Sequence, residues 1–231
     1  MIKTVCFDLY NTLARYEPPL EIIHANACRD LGIEVNPGAL IKALPVADMF
    51  WRNENSRSPI EKRPQDQKMT VYAEYEIKLL KEVEIEINHE TALRIMAKIQ
   101  QGGLNFEVYD DSLPTLKLLK DHDLTLGLIS NVGQDVEQTC KELGLLPYLD
   151  FKVTSFEVGY DKPRPEIFLV ALEKAQTKPE EAMYVGDQYD QDVVGARGVG
   201  MKALLLDRND SFTDINDCPR IHSLAEIVDH I

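Results

Sequence analysis

Side chains that could take part in one reaction follow the ends of four predicted strands. Asp8 follows the first strand, Ser130 and Asn131 follow the second, Lys162 lies in a short loop after the third, and Asp187 follows the fourth. In a parallel sheet, ligands bind beyond the carboxyl ends of the strands. A carboxylate, a hydroxyl, an ammonium and a further carboxylate at one edge could attack a substrate, bind a developing oxyanion and hold a cation.

The elements that must position these side chains alternate between strand and helix. Short runs of β-branched and apolar residues predict strands at residues 2–7, 124–129, 151–154, 182–185 and 201–206. Apolar residues at helical spacing, several of them followed by glycine, predict helices at residues 113–121, 135–143, 166–175, 192–197 and 224–230. This alternation is typical of a parallel, doubly wound sheet with a Rossmann-like arrangement.

A long segment of different character interrupts this pattern after the first strand. It is rich in helix-forming and charged residues, and it predicts amphipathic helices at residues 22–31, 71–83 and 92–100 without an alternating strand. Residues 53–67 are polar and contain proline, which indicates an exposed connection. The predicted fold is therefore an α/β core formed by residues 1–14 and 107–231, with an inserted all-helical domain at residues 15–106.

Composition and charge restrict the classes of partner. The chain has 231 residues and a formal net charge of −14, which disfavours nucleic acid and anionic membranes as partners. No stretch approaches the roughly 18 consecutive apolar residues of a membrane helix, and the N-terminal run lacks a signal-peptide pattern, so we expect a cytoplasmic protein. Four scattered cysteines favour reduced thiols over disulfides or a zinc site: Cys6, Cys28, Cys140 and Cys218.

The four strand ends carry short motifs that resemble, in order, those of the haloacid dehalogenase superfamily of aspartate-nucleophile hydrolases. These motifs are FDLYNTL at residues 7–13, LISN at 128–131, GYDKPRPEIF at 159–168 and YVGDQYDQD at 184–192. The helical insert follows the first motif, where subfamily I of this superfamily places its helical C1 cap. The resemblance covers the whole core, and the motifs agree with the predicted elements.

The resemblance implies a role for each strand-end side chain. Asp8 would attack the substrate and form a covalent acyl intermediate that water resolves. Lys162 would neutralise charge on the nucleophile and on the transferring group as a compact point charge. Ser130 and Asn131 would donate hydrogen bonds to a substrate oxygen. By itself, an asparagine after a strand is equally typical of an ordinary turn, whereas the resemblance favours the functional role for Ser130.

The resemblance also implies a magnesium site. Mg²⁺ prefers oxygen ligands and usually takes one or two carboxylates together with water and substrate oxygens. Asp8, the backbone carbonyl of Tyr10 and Asp187 would form this site, and Asp192 would support it directly or through water. Asp190 is interpreted instead as the N-cap of the helix that begins near Asp192.

Tyr10 departs from the phosphatase pattern of the superfamily. Its phosphatases carry a second aspartate at this position, which protonates the leaving oxygen and activates water. A tyrosine has an ordinary pKa near 10 and is a poor general base at neutral pH. The 2-haloacid dehalogenases of the superfamily do carry tyrosine here, and their leaving halide needs neither a proton nor a metal.

Other positions count against a dehalogenase. Such enzymes usually place a tyrosine where this chain has Phe168, and their fourth motif lacks the Gly186-Asp187 pair. They also need a cap arginine to bind the substrate carboxylate. Three arginines are candidates for that role, but each is better interpreted as an ordinary solvated surface residue: Arg15, Arg52 and Arg57.

The prediction from sequence is a Mg²⁺-dependent hydrolase of a small phosphorylated metabolite, with Tyr10 and Asn131 beside the substrate. A metal-independent 2-haloacid dehalogenase and a low-activity binding module are the alternatives. Clustered carboxylates repel one another without a cation, and this favours the metal-dependent enzyme. We expect a small-molecule substrate, and a monomer or homodimer.

Overall fold

A computed structural model of the protein describes residues 1–131 and 136–231, apart from the side chain of Glu61. The chain divides into two compact units. Residues Met1–Arg15 and Phe106–Ile231 form the first, and Tyr16–Asn105 form the second. The role of the second unit as a cap stays a prediction.

The described residues contain eight strands. They are β1 (Thr4–Phe7), β2 (Ala14–Tyr16), β3 (Phe106–Val108), β4 (Thr125–Ser130), β5 (Phe151–Thr154), β6 (Ala182–Gly186), β7 (Lys202–Leu206) and β8 (Arg220–Ile221). Six of them form one parallel sheet in the order β5-β4-β1-β6-β7-β8. The central strand β1 lies between β4 and β6, so the side chains that follow these three strands meet at one edge. The predicted parallel sheet is confirmed.

Nine helices are described. They are α1 (Leu20–Arg29), α2 (Pro37–Arg57), α3 (Gln65–Lys81), α4 (His89–Gly102), α5 (Ser112–Asp121), α6 (Val136–Glu142), α7 (Ser155–Val158), α8 (Pro165–Ala175) and α9 (Gly195–Gly198). A π-helical turn at Tyr189–Val194 precedes α9, and a 3-10 helix at Leu224–His230 closes the chain. Residue 135, the predicted start of one helix, lies outside the described residues.

The sheet is buried on both faces because successive side chains of each strand point to opposite sides. Val5 and Phe7 contribute to one apolar cluster, while Cys6, between them, contributes to the other. Helices α5 and α6 cover the first face, and α8 and α9 cover the second. Two-sided burial explains why these strands are continuous apolar runs in the sequence.

Three short strands escaped sequence analysis. Strands β2 and β3 pair with each other where the chain passes between the two units, and β8 adds a two-residue edge to the main sheet. Each is too short to show an alternating pattern. Strand β8 follows residues 207–219, for which the sequence predicts neither a strand nor a helix.

The second unit contains four helices rather than the three predicted. Helix α2 runs from Pro37 through Pro45 to Arg57 and includes part of the segment expected to be an exposed connection. That connection covers only residues 58–64, within which Ile60 is fully buried. Polar residues and an internal proline concealed the helix, whose start is fixed by Asn36: its side chain accepts a hydrogen bond from the Gly38 amide.

Each helix of the second unit packs against two others. Helix α1 contacts α2 and α4, and α3 contacts the same two helices. Leu40, Leu79, Leu80 and Ile95 are among the fully buried side chains at the centre. Within the described part of the chain, no helix is long and apolar enough to cross a membrane.

Candidate active site

Asp8 lies at the carboxyl end of the central strand and is 6% exposed. Its amide donates a hydrogen bond to the Val185 carbonyl of β6, at 3.0 Å, which continues the strand pairing to Asp8 itself. Burial raises the pKa of Asp8, Lys162 opposes this rise, and the nearby Asp192 carboxylate adds to it. The side chain is therefore held rigidly, with little solvent to stabilise its charge.

The turn after Asp8 is closed by its own backbone. The amides of Leu13 and Ala14 both donate to the Leu9 carbonyl at 2.9 Å, and Asn11 adopts a left-handed conformation with φ 60°. Asparagine tolerates this conformation better than most residues. The ring of Tyr10 packs 4.8 Å from that of Phe106, between centroids. We name residues 8–14, which carry the predicted nucleophile Asp8, the nucleophile loop.

Lys162 is buried, and its ammonium contacts three oxygens. Nζ donates to Asp8 Oδ1 at 2.8 Å, to Asp192 Oδ1 at 2.7 Å and to the Tyr184 hydroxyl at 2.8 Å. Burial alone would lower the pKa of Lys162, but the Asp192 and Asp8 carboxylates outweigh it and raise the pKa above its ordinary value. The ammonium keeps its charge beside Asp8.

Tyr184 was not anticipated from the sequence. Its hydroxyl accepts from Lys162 Nζ and donates to the Ile129 carbonyl at 2.9 Å, so it links β6 to β4 across the central strand. Burial raises the pKa of Tyr184 well above its ordinary value, and the phenol keeps its proton. The only available signal was a tyrosine in an otherwise apolar buried strand, since a buried hydroxyl usually has a partner.

Ser130 and Asn131 follow β4 as predicted but differ in their surroundings. Ser130 is 2% exposed at the last position of the strand. The Asn131 side chain accepts from the Lys162 amide at 2.7 Å and donates to the Lys162 carbonyl at 3.2 Å and to Gln191 Oε1 at 3.1 Å. Both amide hydrogens of Asn131 are thus engaged in holding the loop that carries the lysine.

Asp187 and Asp192 lie close to Asp8, and one carboxylate oxygen of each falls within 4.8 Å of the others. Asp192 is buried; its Oδ2 accepts from the Gln188 amide at 2.9 Å and its Oδ1 from Lys162. A Cβ on Gly186 would lie 2.2 Å from Asp192 Oδ2, so a side chain there would displace the carboxylate.

Asp187 lacks the direct ammonium contact that the other two carboxylates have. The hydroxyl of Thr12 lies 3.5 Å from Asp187 Oδ1. Burial raises the pKa of Asp187 well above its ordinary range, and the charges of Asp192 and Asp8 raise it further. When all three carboxylates are ionised, as metal binding requires, the single ammonium leaves two negative charges, which a divalent cation with oxygen ligands would balance. The donor set therefore fits Mg²⁺.

The prediction that Asp190 caps the following helix is wrong. The π-helical turn begins at Tyr189, Gln188 precedes it, and Asp190 is exposed. The Asp192 carboxylate, four residues after Gln188, accepts the hydrogen bond from the Gln188 amide instead. The extra residue of a π turn shifts the register of the side chains, and the sequence does not show this.

Comparison with known proteins agrees with the motifs. The family model for haloacid dehalogenase-like hydrolases matches residues 2–200. Haloacid dehalogenase-like hydrolase domain-containing protein 3 of Danio rerio is 35% identical over 126 residues, which cover 54% of this chain and 52% of that protein. The match thus spans about half of that relative's length. Glyceraldehyde 3-phosphate phosphatase of Methanocaldococcus jannaschii is 28% identical over 238 residues, which cover 99% of this chain and 96% of that protein.

The similar solved structures include a phosphatase and a 2-haloacid dehalogenase, the two classes of enzyme considered from the sequence. An HAD phosphatase from Thermococcus onnurineus has 28% identity and a TM-score of 0.62, covering 99% of this chain and 97% of that one. A 2-haloacid dehalogenase from Pseudomonas syringae has 25% identity and a TM-score of 0.61 at the same coverage. The family match over most of the sequence, on a core with this topology, shows that the chain belongs to the haloacid dehalogenase-like hydrolases.

Proposed function

We propose that the protein is a Mg²⁺-dependent phosphohydrolase that cleaves a small phosphorylated metabolite through Asp8. The observation that carries this proposal is the carboxylate cluster of Asp8, Asp187 and Asp192 around a single ammonium. Such a cluster is costly without a cation, and a dehalogenase has no use for one. The full-length similarity to a relative named glyceraldehyde 3-phosphate phosphatase supports the same class of reaction.

Asp8, Asp187 and the Tyr10 carbonyl would hold the metal. Asp192 would support the site indirectly, because both of its oxygens already accept hydrogen bonds from Lys162 and Gln188. When bound, Mg²⁺ supplies positive charge that polarises phosphoryl oxygens and balances the carboxylates.

The first step of the proposed reaction is an attack of the Asp8 carboxylate on phosphorus. The new bond joins the Asp8 oxygen to phosphorus, and the bond from phosphorus to the ester oxygen breaks. Lys162 holds Asp8 in place and stabilises negative charge that develops on the phosphoryl group. The departing oxygen takes its proton from solvent, because position 10 offers a phenol rather than a carboxylic acid.

The second step regenerates the enzyme. Water attacks phosphorus, the bond between phosphorus and the Asp8 oxygen breaks, and Asp8 is regenerated as a carboxylate. Inorganic phosphate leaves with the hydroxyl that the water supplied, and the second proton of the water passes to solvent. Ser130, at the end of β4, would donate to a phosphoryl oxygen. The absence of an aspartate at position 10 predicts slow turnover, since general acid–base catalysis typically contributes about 10²–10⁴-fold.

A 2-haloacid dehalogenase is the second candidate because of Tyr10. Two features of the structure disfavour it. Phe168 is fully buried against Tyr184, with ring centroids 5.4 Å apart, so no phenol stands there. Of the three arginines considered for binding a substrate carboxylate, two pair with carboxylates of the chain itself: Arg15 with Glu107 at 3.1 Å and Arg57 with Glu54 at 2.6 Å.

The deciding experiment measures phosphate released from a panel of phosphomonoesters that includes glyceraldehyde 3-phosphate, with Mg²⁺ and then with EDTA. Chloride released from 2-chloropropionate is measured in parallel. We expect phosphate release that EDTA abolishes and that Asp8→Asn lowers on the order of 10³-fold or more. Asp190→Asn, an exposed carboxylate nearby, is the matched control and should retain activity. Chloride release insensitive to EDTA would overturn the proposal in favour of the dehalogenase.

A further inference from the structure

Two adjacent carbonyls of the nucleophile loop are held by residues outside the four motifs. The Thr12 carbonyl accepts a hydrogen bond from Arg208 Nη2 at 3.0 Å. The Leu13 carbonyl accepts from the Ser112 hydroxyl at 2.7 Å and from the Tyr109 amide at 3.1 Å. The loop that carries Asp8 is therefore fixed from its far end as well as by strand β1.

Arg208 is itself held in a fixed orientation. Its Nη1 and Nη2 donate to the two oxygens of Asp111, both at 2.9 Å, in a bidentate pair. Asp111 also accepts from the Ser223 hydroxyl at 2.8 Å and from the Leu224 amide at 2.9 Å. Burial alone would raise the pKa of Asp111, but these hydrogen bonds and Arg208 hold it below its ordinary value. The Asp111 carboxylate therefore stays ionised at neutral pH.

The guanidinium also stacks on an aromatic ring. The Cζ atom of Arg208 lies 3.9 Å from the centroid of the Tyr109 ring. A planar guanidinium can make a bidentate pair, a third hydrogen bond and a stacking contact at once, and a lysine ammonium cannot. The side chains of Arg208 and Asp111 are 17% and 19% exposed, so solvent screens the pair only partly. We name Arg208 and Asp111 the Arg208 clamp.

The loop that the clamp holds leads directly to the proposed metal ligands. Thr12, whose carbonyl Arg208 binds, places its hydroxyl 3.5 Å from Asp187 Oδ1. The Tyr10 carbonyl lies two residues earlier, on the other side of the left-handed Asn11. Arg208, Ser223 and Leu224 lie beyond residues 2–200, the part of the chain that the family model matches. The motifs therefore do not account for this restraint.

We propose that Arg208 is a positioning residue that fixes the nucleophile loop, and through Thr12 the orientation of Asp187, from the carboxyl end of β7. The catalytic part of this inference rests on the proposed function. The restraint on the loop can be measured without it.

The test compares Arg208→Lys with Arg63→Lys. Arg63 is a matched control in the second unit, because it also pairs with a carboxylate, Glu54, and donates to backbone carbonyls. The side chains of Arg63 and Glu54 are 11% and 19% exposed, which is close to the exposure of the Arg208 clamp. Arg208→Lys should lower kcat about 10- to 100-fold, as small misplacements of reacting groups do. KM should change less than about twofold, and the Mg²⁺ concentration for half-maximal rate should rise. Arg63→Lys should change none of these.

Hydrogen exchange of the peptide that covers residues 8–14 gives a result independent of activity. Arg208→Lys should accelerate exchange of the Leu13 and Ala14 amides at least about tenfold relative to wild type and Arg63→Lys. Asp111→Asn keeps one acceptor and is a milder second variant, expected to give a smaller increase if Arg208→Lys fails to fold. Unchanged exchange and kcat in a folded clamp variant would overturn the proposal. Faster exchange in a protein without phosphatase activity would refute the proposed function and leave the clamp supported.

Discussion

At the scale of single residues, the site depends on one positive charge. Lys162 contacts Asp8, Asp192 and Tyr184, and this uses all three hydrogens of its ammonium. The third carboxylate, Asp187, has a long contact with the Thr12 hydroxyl, at 3.5 Å. Burial raises the pKa of Asp187, and the charges of Asp192 and Asp8 raise it further.

Replacement of Tyr10 by aspartate tests the departure from the phosphatase pattern. Tyr10→Asp should leave phosphatase kcat level or raise it, by up to about 10²-fold, because a carboxyl group at this position can protonate the leaving oxygen. Loss of the ring contact with Phe106 should cost about 1 kcal/mol of stability. The measurement is steady-state phosphate release, with Tyr10→Phe as the control that keeps the ring. If Tyr10→Asp abolishes a halide-releasing activity instead, the phosphatase assignment fails.

Replacement of Asp187 by asparagine separates stability from metal binding. Without divalent cations, Asp187→Asn should raise the melting temperature by about 2–4 °C, because it removes one of three mutually repelling carboxylates. Addition of Mg²⁺ should stabilise the wild type and should stabilise the variant much less. Thermal melts with EDTA and with Mg²⁺ give both values, and Asp190→Asn controls for loss of surface charge. Equal stabilisation of both proteins by Mg²⁺ would contradict the role of Asp187.

At the scale of elements, the helical unit contains a buried polar group among apolar side chains. Glu76 of α3 is fully buried, and its Oε1 lies 2.9 Å from Nδ1 of His24 on α1, which is also buried. The geometry of this contact is not that of a hydrogen bond, so proximity alone pairs the two groups among the described residues. Nearby, the Tyr75 hydroxyl donates to Asp48 Oδ1 at 2.8 Å, and burial raises the pKa of Asp48. Removal of one member of a buried pair leaves a polar group without compensation, whereas removal of both does not.

A double-mutant comparison tests this pair. His24→Leu should destabilise the helical unit by about 3–5 kcal/mol, because it leaves the Glu76 carboxylate alone in the core. The double variant His24→Leu/Glu76→Met should recover most of this loss, since both side chains are then apolar and of similar volume. Urea unfolding of each protein gives the free energies. A double variant less stable than His24→Leu would show that the pair itself stabilises the unit.

At the scale of the whole molecule, acid should weaken the fold through carboxylates that are paired in the native state. Asp207, at the end of β7, is 2% exposed and accepts hydrogen bonds from the Ser211 and Phe212 amides and from Arg220. Burial alone would raise the pKa of Asp207, but these contacts hold it below its ordinary value. Asp111 behaves in the same way.

The sign of the pH dependence follows from these depressed pKa values. Above about pH 5 both carboxylates are ionised in the folded and unfolded states, so their stabilisation is complete. As the pH falls through about 3.9, the unfolded chain takes up protons first and the stabilisation is lost. Asp207→Asn should lower the free energy of unfolding by about 1–3 kcal/mol at pH 7. It should also make that free energy less dependent on pH below about pH 5. Urea unfolding between pH 3 and 7 measures this, and a variant as acid-sensitive as the wild type would contradict it.

The sequence by itself determined the family, the α/β class and the strand-end residues Asp8, Ser130, Lys162 and Asp187. These features are local, because a buried strand is a short apolar run and each motif follows it directly. Helix α2 was missed because polar residues and Pro45 obscure its pattern. The tertiary structure alone decided the partners of Lys162, the position of Asp192 beside Asp8 and Asp187, and the hydrogen bond from Arg208 to the Thr12 carbonyl. Those contacts join residues up to 196 positions apart, and no local pattern encodes which distant side chains the folded sheet brings together.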